Sequence, residues 1–533
     1  MHRATRAHRT EPAVYDLSGR DGTPSANEAG FKAHNLIRMA ALGLSVPQGF
    51  VLGTDWCRAA QSVDGVEAQL SGALQTCIGE LERKTGLGFG SARRPLLLSV
   101  RSGAPVSMPG MLETVLNVGL NDATLDGFLQ LSGDHRLVWD SYRRLIQSFA
   151  EVVAGVPAAA FEATLDTALR ASGVDEATQL GYRALRELSR AYLDLHHEHT
   201  GRDFPQDPLA QLAAATRAVF ASWNSPKAVE YRRLYSLSDQ LGTAVTIQRM
   251  VFGNAGGNSG AGVGFTRDPS TGENRLYVDW LPRAQGEDIV SGRCRVTPEA
   301  EVPRWLLQRL TDVSESLEES FGDAQEFEFT VENGVLFMLQ TRTAKRTPMA
   351  ALRIAVEQVE SGMLSPGDAL RRLDAIDLDS IASSRVESGA PPIGRAVPAG
   401  IGVASGPAAF TRDAVEAYAK HGTPAIFVRN DIDTGDIGGI ALAGGVLTAG
   451  GSRTSHAAVI ARQMGKVCLV GCAGLAVDEH ARHATLGDAV IREGDPLCVD
   501  GSTGDIYTGT PRVVTERPAA LISRLKEWRH NAA

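Results

Sequence analysis

Apolar positions recur with a helical period over residues 30–42 (GFKAHNLIRMAAL), which predicts an amphipathic helix. GLSVPQGF then turns into a strand ending near Leu52. Residues 95–111 (PLLLSVRSGAPVSMPGM) read as a buried strand running into a Gly/Pro-rich loop. From about 121 to 241 the pattern is polar and helical, with WDSYRRLIQSFAEVV its clearest amphipathic stretch. Strand signals return at 243–253 (TAVTIQRMVFG) and continue through GAGVGFTRD, RLYVDWL and EFEFTVENGVLFMLQTR. Glu332-Asn333-Gly334 is a hairpin signal, so this stretch reads as antiparallel. Two helices are expected over 347–379, broken between Gly362 and Pro366. Residues 388–400 (SGAPPIGRAVPAG) read as a linker. Short strands then alternate with helices to about 508, and LISRLKEWRH predicts a closing helix.

A chain of 533 residues implies several domains. Hydrophobic residues make up 43% and charged ones 22%, the balance of an ordinary globular protein. A formal charge of -9 argues against a nucleic-acid partner. No long apolar run predicts a membrane span. The basic start, MHRATRAHRTEPAVYDLSG, lacks the hydrophobic segment of a secretory signal and reads as a disordered tail over 1–24. The six cysteines, Cys57, Cys77, Cys294, Cys468, Cys472 and Cys498, have no CxxC spacing. They read as buried thiols in a reducing cytoplasm.

The most informative segment is TAGGSRTSHAAVIARQMGKVCLVG, residues 448–471. Gly450 and Gly451 precede Thr454, Ser455 and His456, which stand immediately before a helix-forming run. Unpaired N–H groups at a helix N-terminus favour anions. A neutral imidazole is a competent nucleophile toward phosphorus. Thr454 and Ser455 are placed to donate to phosphate oxygens, and Arg453 and Arg462 to offset charge. The alternative is a histidine that only starts a helix, after glycines that only make a turn.

A phosphate donor site needs cations and oxygen ligands for magnesium. Lys32 follows Gly30, and Arg101 closes the apolar strand ahead of Ser102 and Gly103. GAPVSMPGM reads equally as a lid over phosphates or as a rigid turn. Glu326 and Glu328 alternate with Phe327 and Phe329, which puts both carboxylates on one face of a strand. They fit either a bound cation or a solvent-facing edge strand. Gln340 and Arg342 share a face of the next strand. Arg249 alternates away from Gln248 and Met250 and reads as surface charge.

These segments, with FPQDP, VFGNAGGNSGAGVGFTRDPSTGEN, AQGEDIV and GSTGDIY, resemble pyruvate phosphate dikinase and phosphoenolpyruvate synthase over about 25–510. The resemblance implies an α/β and α+β multidomain fold: an ATP-grasp domain followed by a swivelling phosphohistidine β/α domain. The expected boundaries are 25–345 for ATP binding, with a helical insertion at about 121–241, and 346–390 for a helical connector. The phosphohistidine domain is expected at 391–510 and a helical tail at 511–533. The resemblance implies that His456 is phosphorylated and that Arg101, Thr454 and Ser455 assist it. It implies that Lys32 and Arg101 touch the ATP phosphates and that Gln248, Met250 and Val251 line the adenine hinge. Glu326, Glu328 and Gln340 would handle Mg2+ and phosphate, with Arg342 in support. Thr454 matches a threonine that is regulated by phosphorylation in plant dikinases.

Two departures stand out. Gly30, Phe31, Lys32 and Ala33 occupy a family Gly-Gly-Lys-Gly, and Ser452 occupies a family glycine. The TIM barrel that follows in full-length dikinases is expected to be absent. The resemblance then implies transfer from ATP to His456 with release of AMP, inorganic phosphate as co-substrate, and a separate acceptor subunit or small-molecule acceptor. The alternatives are a stand-alone kinase that uses water, and an inactive nucleotide-binding regulator.

Overall fold

The run Leu96–Leu98 followed by Val100 is apolar on both faces, so it needs a strand covered on both sides. In the computed structural model Leu98 and Val100 lie in a strand inside an antiparallel sheet, with Leu96 and Leu97 leading into it. The structure describes residues 12–60, 66–106, 108, 111–290, 302–374, 376, 381, 383–387, 391–432, 436–453 and 455–532. It has two compact units, 1–259 with 330–341, and 260–329 with 342–533. The fold is mixed α/β with several domains.

The first unit holds strands β1 (Val14–Asp16), β2 (Gly49–Leu52), β3 (Leu98–Gly103), β4 (Thr114–Val118) and β5 (Ala244–Arg249) in the order β1-β2-β5-β3-β4. Residues 12–24, expected as part of a disordered tail, are instead ordered. Val14–Asp16 pair with Phe50–Leu52, and Trp56 Nε1 donates to the Ala13 carbonyl at 3.0 Å. Six α-helices lie between Leu125 and Leu234, where the sequence pattern predicts helix. Inside it Asp140 is buried, 2.6 Å from Arg143 Nη2 and 2.9 Å from Arg144 Nε. Burial alone would raise the Asp140 pKa, but Arg144 and Arg143 hold it far below the usual 3.8.

In the second stretch, β6 (Gly260–Phe265), β7 (Tyr277–Pro282), β8 (Gln325–Glu332) and β9 (Val335–Thr343) form a sheet in the order β7-β6-β8-β9. The Asn333-Gly334 turn between β8 and β9 has φ of 49° and 80°, as its sequence predicts. β8 is an interior strand, which corrects the edge-strand alternative. Phe327 and Phe329 lie over Gly264 and Gly262, where an added Cβ would stand 2.2 and 2.1 Å from the rings. Those glycines are set by packing.

The second unit also contains β10 (Ser383–Val386), β11 (Gly394–Arg395), β12 (Val397–Gly400), β13 (Val403–Ala409), β14 (Ile426–Arg429), β15 (Gly445–Thr448) and β16 (Val467–Val470). It continues with β17 (Leu475–Asp478), β18 (His483–Leu486), β19 (Ala489–Arg492), β20 (Pro496–Asp500), β21 (Asp505–Thr508) and β22 (Val513–Glu516). β13, β14, β15 and β16 run parallel at the centre of an eight-stranded sheet. β17, β18 and β19 form a separate antiparallel sheet. Helices Pro348–Glu360 and Pro366–Leu373 match the expected break.

Within the expected linker 388–400, β11 and β12 are strands of the eight-stranded sheet, and 388–390 lie outside the described residues. β10 pairs with β22, and Leu525 of the helix Ala519–Ala532 is buried with Leu352, Val356 and Leu373. Cys57, Cys468, Cys472 and Cys498 are buried free thiols, Cys77 is half-buried, and Cys294 lies outside the described residues. Burial pushes Cys468 up to about 12 and Cys472 to about 11, which leaves both unreactive near neutral pH.

Asp140→Asn should destabilise the chain by about 3 kcal/mol at neutral pH, because it strands buried Arg143 and half-buried Arg144. A depressed folded-state pKa gives stability that is present above 3.8 and lost as pH falls. The gap between the two proteins in urea unfolding should therefore narrow on acidification toward pH 3, an order-of-magnitude window set by carboxylate titration.

Candidate functional site

In the first unit, the helix Ala26–Ala41 bends at Gly30, whose φ is +76°. A Cβ at Gly30 would stand 1.9 Å from the Gly103 carbonyl, and Phe31 donates its N–H to Ala104 at 2.8 Å. Only glycine permits that approach. It brings half-buried Lys32 beside the end of β3, where a Cβ on Gly103 would be 3.7 Å from the Lys32 Cβ. Arg101 is half-buried within β3, opposite Thr114 and Thr246. It does not close the strand, which continues to Gly103. The lid-or-turn segment lies partly outside the described residues, at 107, 109 and 110.

Gln248 is buried in β5 and donates Nε2 to the Pro47 carbonyl at 2.9 Å, which ties the VPQGF segment to this strand. β5 ends at Arg249. Met250, whose N–H reaches Leu97 at 2.8 Å, and Val251 follow as buried connecting residues. Gln340 is half-buried on β9.

Arg249 is not surface charge. Its Nη2 lies 3.2 Å from Glu332, whose other oxygen accepts the Phe252 N–H at 3.0 Å. Glu332 thus fixes both ends of the Met250–Val251 connection. Alternation along one strand missed this, because the covering residue lies 83 positions away. Burial outweighs both favourable contacts and raises the Glu332 pKa.

In the second unit, Glu326 is buried on β8 and paired with Arg342 at 2.5 Å, and Glu328 is half-buried on the same face. Burial disfavours the Arg342 charge, but Glu326 outweighs it and raises the Arg342 pKa. Carboxylate and amide oxygens are hard donors of the kind magnesium takes, usually with substrate phosphates completing its shell. Among the described residues no group of three or more His, Cys, Asp or Glu could hold a metal alone. Glu326 and Glu328 therefore fit magnesium as a partial donor set.

His456 begins the helix His456–Gln463, which joins parallel strands β15 and β16. It follows the carboxyl end of β15, where α/β sheets bind ligands. Its backbone placement is described and its side chain is not; Thr454 lies outside the described residues. Ser455 caps the helix, is 1% exposed, and accepts the Ala458 N–H. Gly451 has φ +94°, and a Cβ there would stand 3.0 Å from the Ser455 hydroxyl oxygen. Ser452 at a family glycine position leaves the turn closed, since its carbonyl accepts the Ser455 N–H at 3.0 Å.

The two arginines expected to offset phosphate charge are engaged elsewhere. Arg462 is 1% exposed and donates to the carbonyls of Lys345, Ala399 and Arg453. Burial lowers its pKa. Arg453 pairs with Asp268 at 3.0 Å.

Residues 66–302 match the family model "Pyruvate phosphate dikinase, AMP/ATP-binding domain", and 422–504 match "PEP-utilising enzyme, mobile domain". The chain therefore contains a dikinase-type nucleotide-binding domain and a mobile domain of PEP-utilising enzymes. It is homologous over most of its length to pyruvate phosphate dikinases, which are phosphotransferases. It is 41% identical over 512 residues to pyruvate, phosphate dikinase of Clostridium symbiosum, covering 94% of this chain and 58% of that protein. It is 41% identical over 514 residues to pyruvate, phosphate dikinase 2 of Oryza sativa subsp. japonica, covering 94% and 57%. With the chloroplastic pyruvate, phosphate dikinase 1 of Zea mays it shares 41% over 493 residues, covering 90% and 51%. The chain thus spans a little over half the length of the curated relatives it matches. Arg101, Gln248, Met250 and Val251 fall in the first matched segment, and Thr454, Ser455 and His456 in the second. Among the described residues no helix is long and apolar enough to cross a membrane.

A raised folded-state pKa means that Glu332 loses stability as pH rises from its usual 4.5 through the folded value. Glu332→Gln keeps an acceptor for Phe252 without the buried charge. Its melting temperature should equal or exceed wild type above that window, with the difference vanishing below it. A variant that melts lower at pH 8, an order-of-magnitude choice well above carboxylate titration, would show that the Arg249 ion pair dominates.

Proposed function

We propose that this chain is an ATP-dependent phosphotransferase of pyruvate phosphate dikinase type, with His456 as its phosphoryl carrier. The supporting observation is 41% identity across 94% of the chain, together with the match of 422–504 to a mobile domain. The proposed functional domains are 25–345 for ATP and 391–510 for the carrier.

A His456 ring nitrogen attacks the β-phosphorus of ATP and breaks the α–β bridging P–O bond. AMP leaves, and His456 carries a pyrophosphoryl group. An oxygen of inorganic phosphate then attacks the terminal phosphorus and breaks the β–γ bridging P–O bond. Pyrophosphate leaves, and His456 retains one phosphoryl group for an acceptor, either a separate polypeptide or a small molecule. Lys32 and Arg101 hold the polyphosphate, and Gln248, Met250 and Val251 hold adenine. Ser455 orders the first helical turn and, with Thr454, flanks the transferred group. Glu326, Glu328 and Gln340 would hold Mg2+, with Arg342 positioning Glu326. When bound, that ion offsets polyphosphate charge.

Intact-protein mass spectrometry at neutral pH after incubation with Mg2+ and ATP tests this. Wild type should gain two phosphoryl groups, collapsing to one when inorganic phosphate is added. His456→Asn should gain none. A wild type that stays unmodified under both conditions would sink the proposal.

A further inference from the structure

Asp268 follows β6 and begins the turn toward β7, while Arg453 lies in the loop between β15 and His456, 185 positions later. Arg453 Nη1 donates to Asp268 Oδ2 at 3.0 Å, and its Nε donates to the Pro398 carbonyl at 2.6 Å. Its guanidinium carbon lies 4.3 Å from the centre of the Tyr277 ring. The two charged side chains are only 14% and 16% exposed. The second Asp268 oxygen accepts the Ser270 and Thr271 N–H groups at 2.7 and 3.0 Å, so the turn itself aims the carboxylate at Arg453. Arg462 grips the Arg453 carbonyl from behind, with its own guanidinium carbon 5.6 Å from the centre of the Phe265 ring. Arg462 is also close enough to Glu326 for their charges to interact.

The loop before His456 is thereby held on β6 and β7, strands of the sheet that carries Glu326 and Glu328. We propose that Arg453 is a positioning residue for phosphoryl transfer, setting the approach of His456 to the β8 carboxylates through its contact with Asp268 and Tyr277. This rests on the reading of His456 as the carrier. A charge pair this well covered works as a unit, because removing either member leaves the other desolvated and unmatched. An aromatic face under the guanidinium adds direction to the contact.

The test is single-turnover labelling of His456 by ATP and Mg2+ in the full chain. The proteins compared are wild type, Asp268→Asn, Arg453→Gln, the double variant and Arg453→Lys. Asn at 268 retains an oxygen for the turn. Each uncharged single variant should slow labelling about tenfold, the size expected for a charged hydrogen bond. The ATP concentration for half-maximal rate should stay unchanged. The double variant should be no slower than the worse single, and Arg453→Lys should recover part of the rate. Singles that label at the wild-type rate, or effects that multiply in the double, overturn the assignment alone. A shift in ATP affinity with an unchanged labelling rate also overturns it. A wild type that takes no label overturns the carrier reading and the assignment with it.

Discussion

Arg462 directs its guanidinium at carbonyl oxygens from three separate segments of the second unit. Lys345 precedes the helical connector, Ala399 lies in β12, and Arg453 stands three residues before His456. A buried cation among peptide dipoles is tolerated when its donors are met. Its place in the last turn of its helix adds the favourable end of the helix dipole. The chain ahead of His456 is therefore held from inside the fold at Arg453. Gly451 and Ser455 give that loop its local shape, and Arg462 gives it a place.

The same economy of means appears at the nucleotide side. Gly30 is needed because the backbone of β3 passes where a side chain would begin. Phe31 and Ala33 continue the same helix, with Ala33 fully buried. Glu332 holds the segment after β5 by meeting one backbone N–H and one guanidinium with a single carboxylate.

Much of this was legible in the sequence wherever the cause is local. The Asn333-Gly334 turn needs two left-handed residues and has residues that tolerate them. The connector breaks between Gly362 and Pro366 because Pro366 starts the second helix, capped by Ser365. Ser455 before His456 is a helix start by the same logic. The start at Ser25 was equally local, since Glu28 accepts the Ser25 N–H at 2.9 Å, but the apolar period drew attention five residues too late. What sequence could not supply depends on distant partners. Alternation assigned Arg249 to solvent, yet Glu332 covers it. Arg453 and Arg462 read as cations that offset phosphate charge, and their partners Asp268, Lys345 and Ala399 are visible only after folding. The strand Val14–Asp16 was missed because three residues carry too little periodicity to register without the partner they pair with.

The paired strands β10 and β22 bear on how the eight-stranded sheet is attached to the rest of its unit. They lie on the chain just before and just after the eight-stranded sheet and are bound to each other. A body hung from two independent threads can spin and tumble widely. One hung from a twisted, hydrogen-bonded ribbon has its torsion coupled at both attachments and samples far fewer orientations. Confinement of that kind raises the effective concentration of a tethered group at any station within its arc, and lowers it to almost nothing elsewhere. The ribbon therefore ties the chain's entry into the sheet to its exit, so that neither attachment turns without the other.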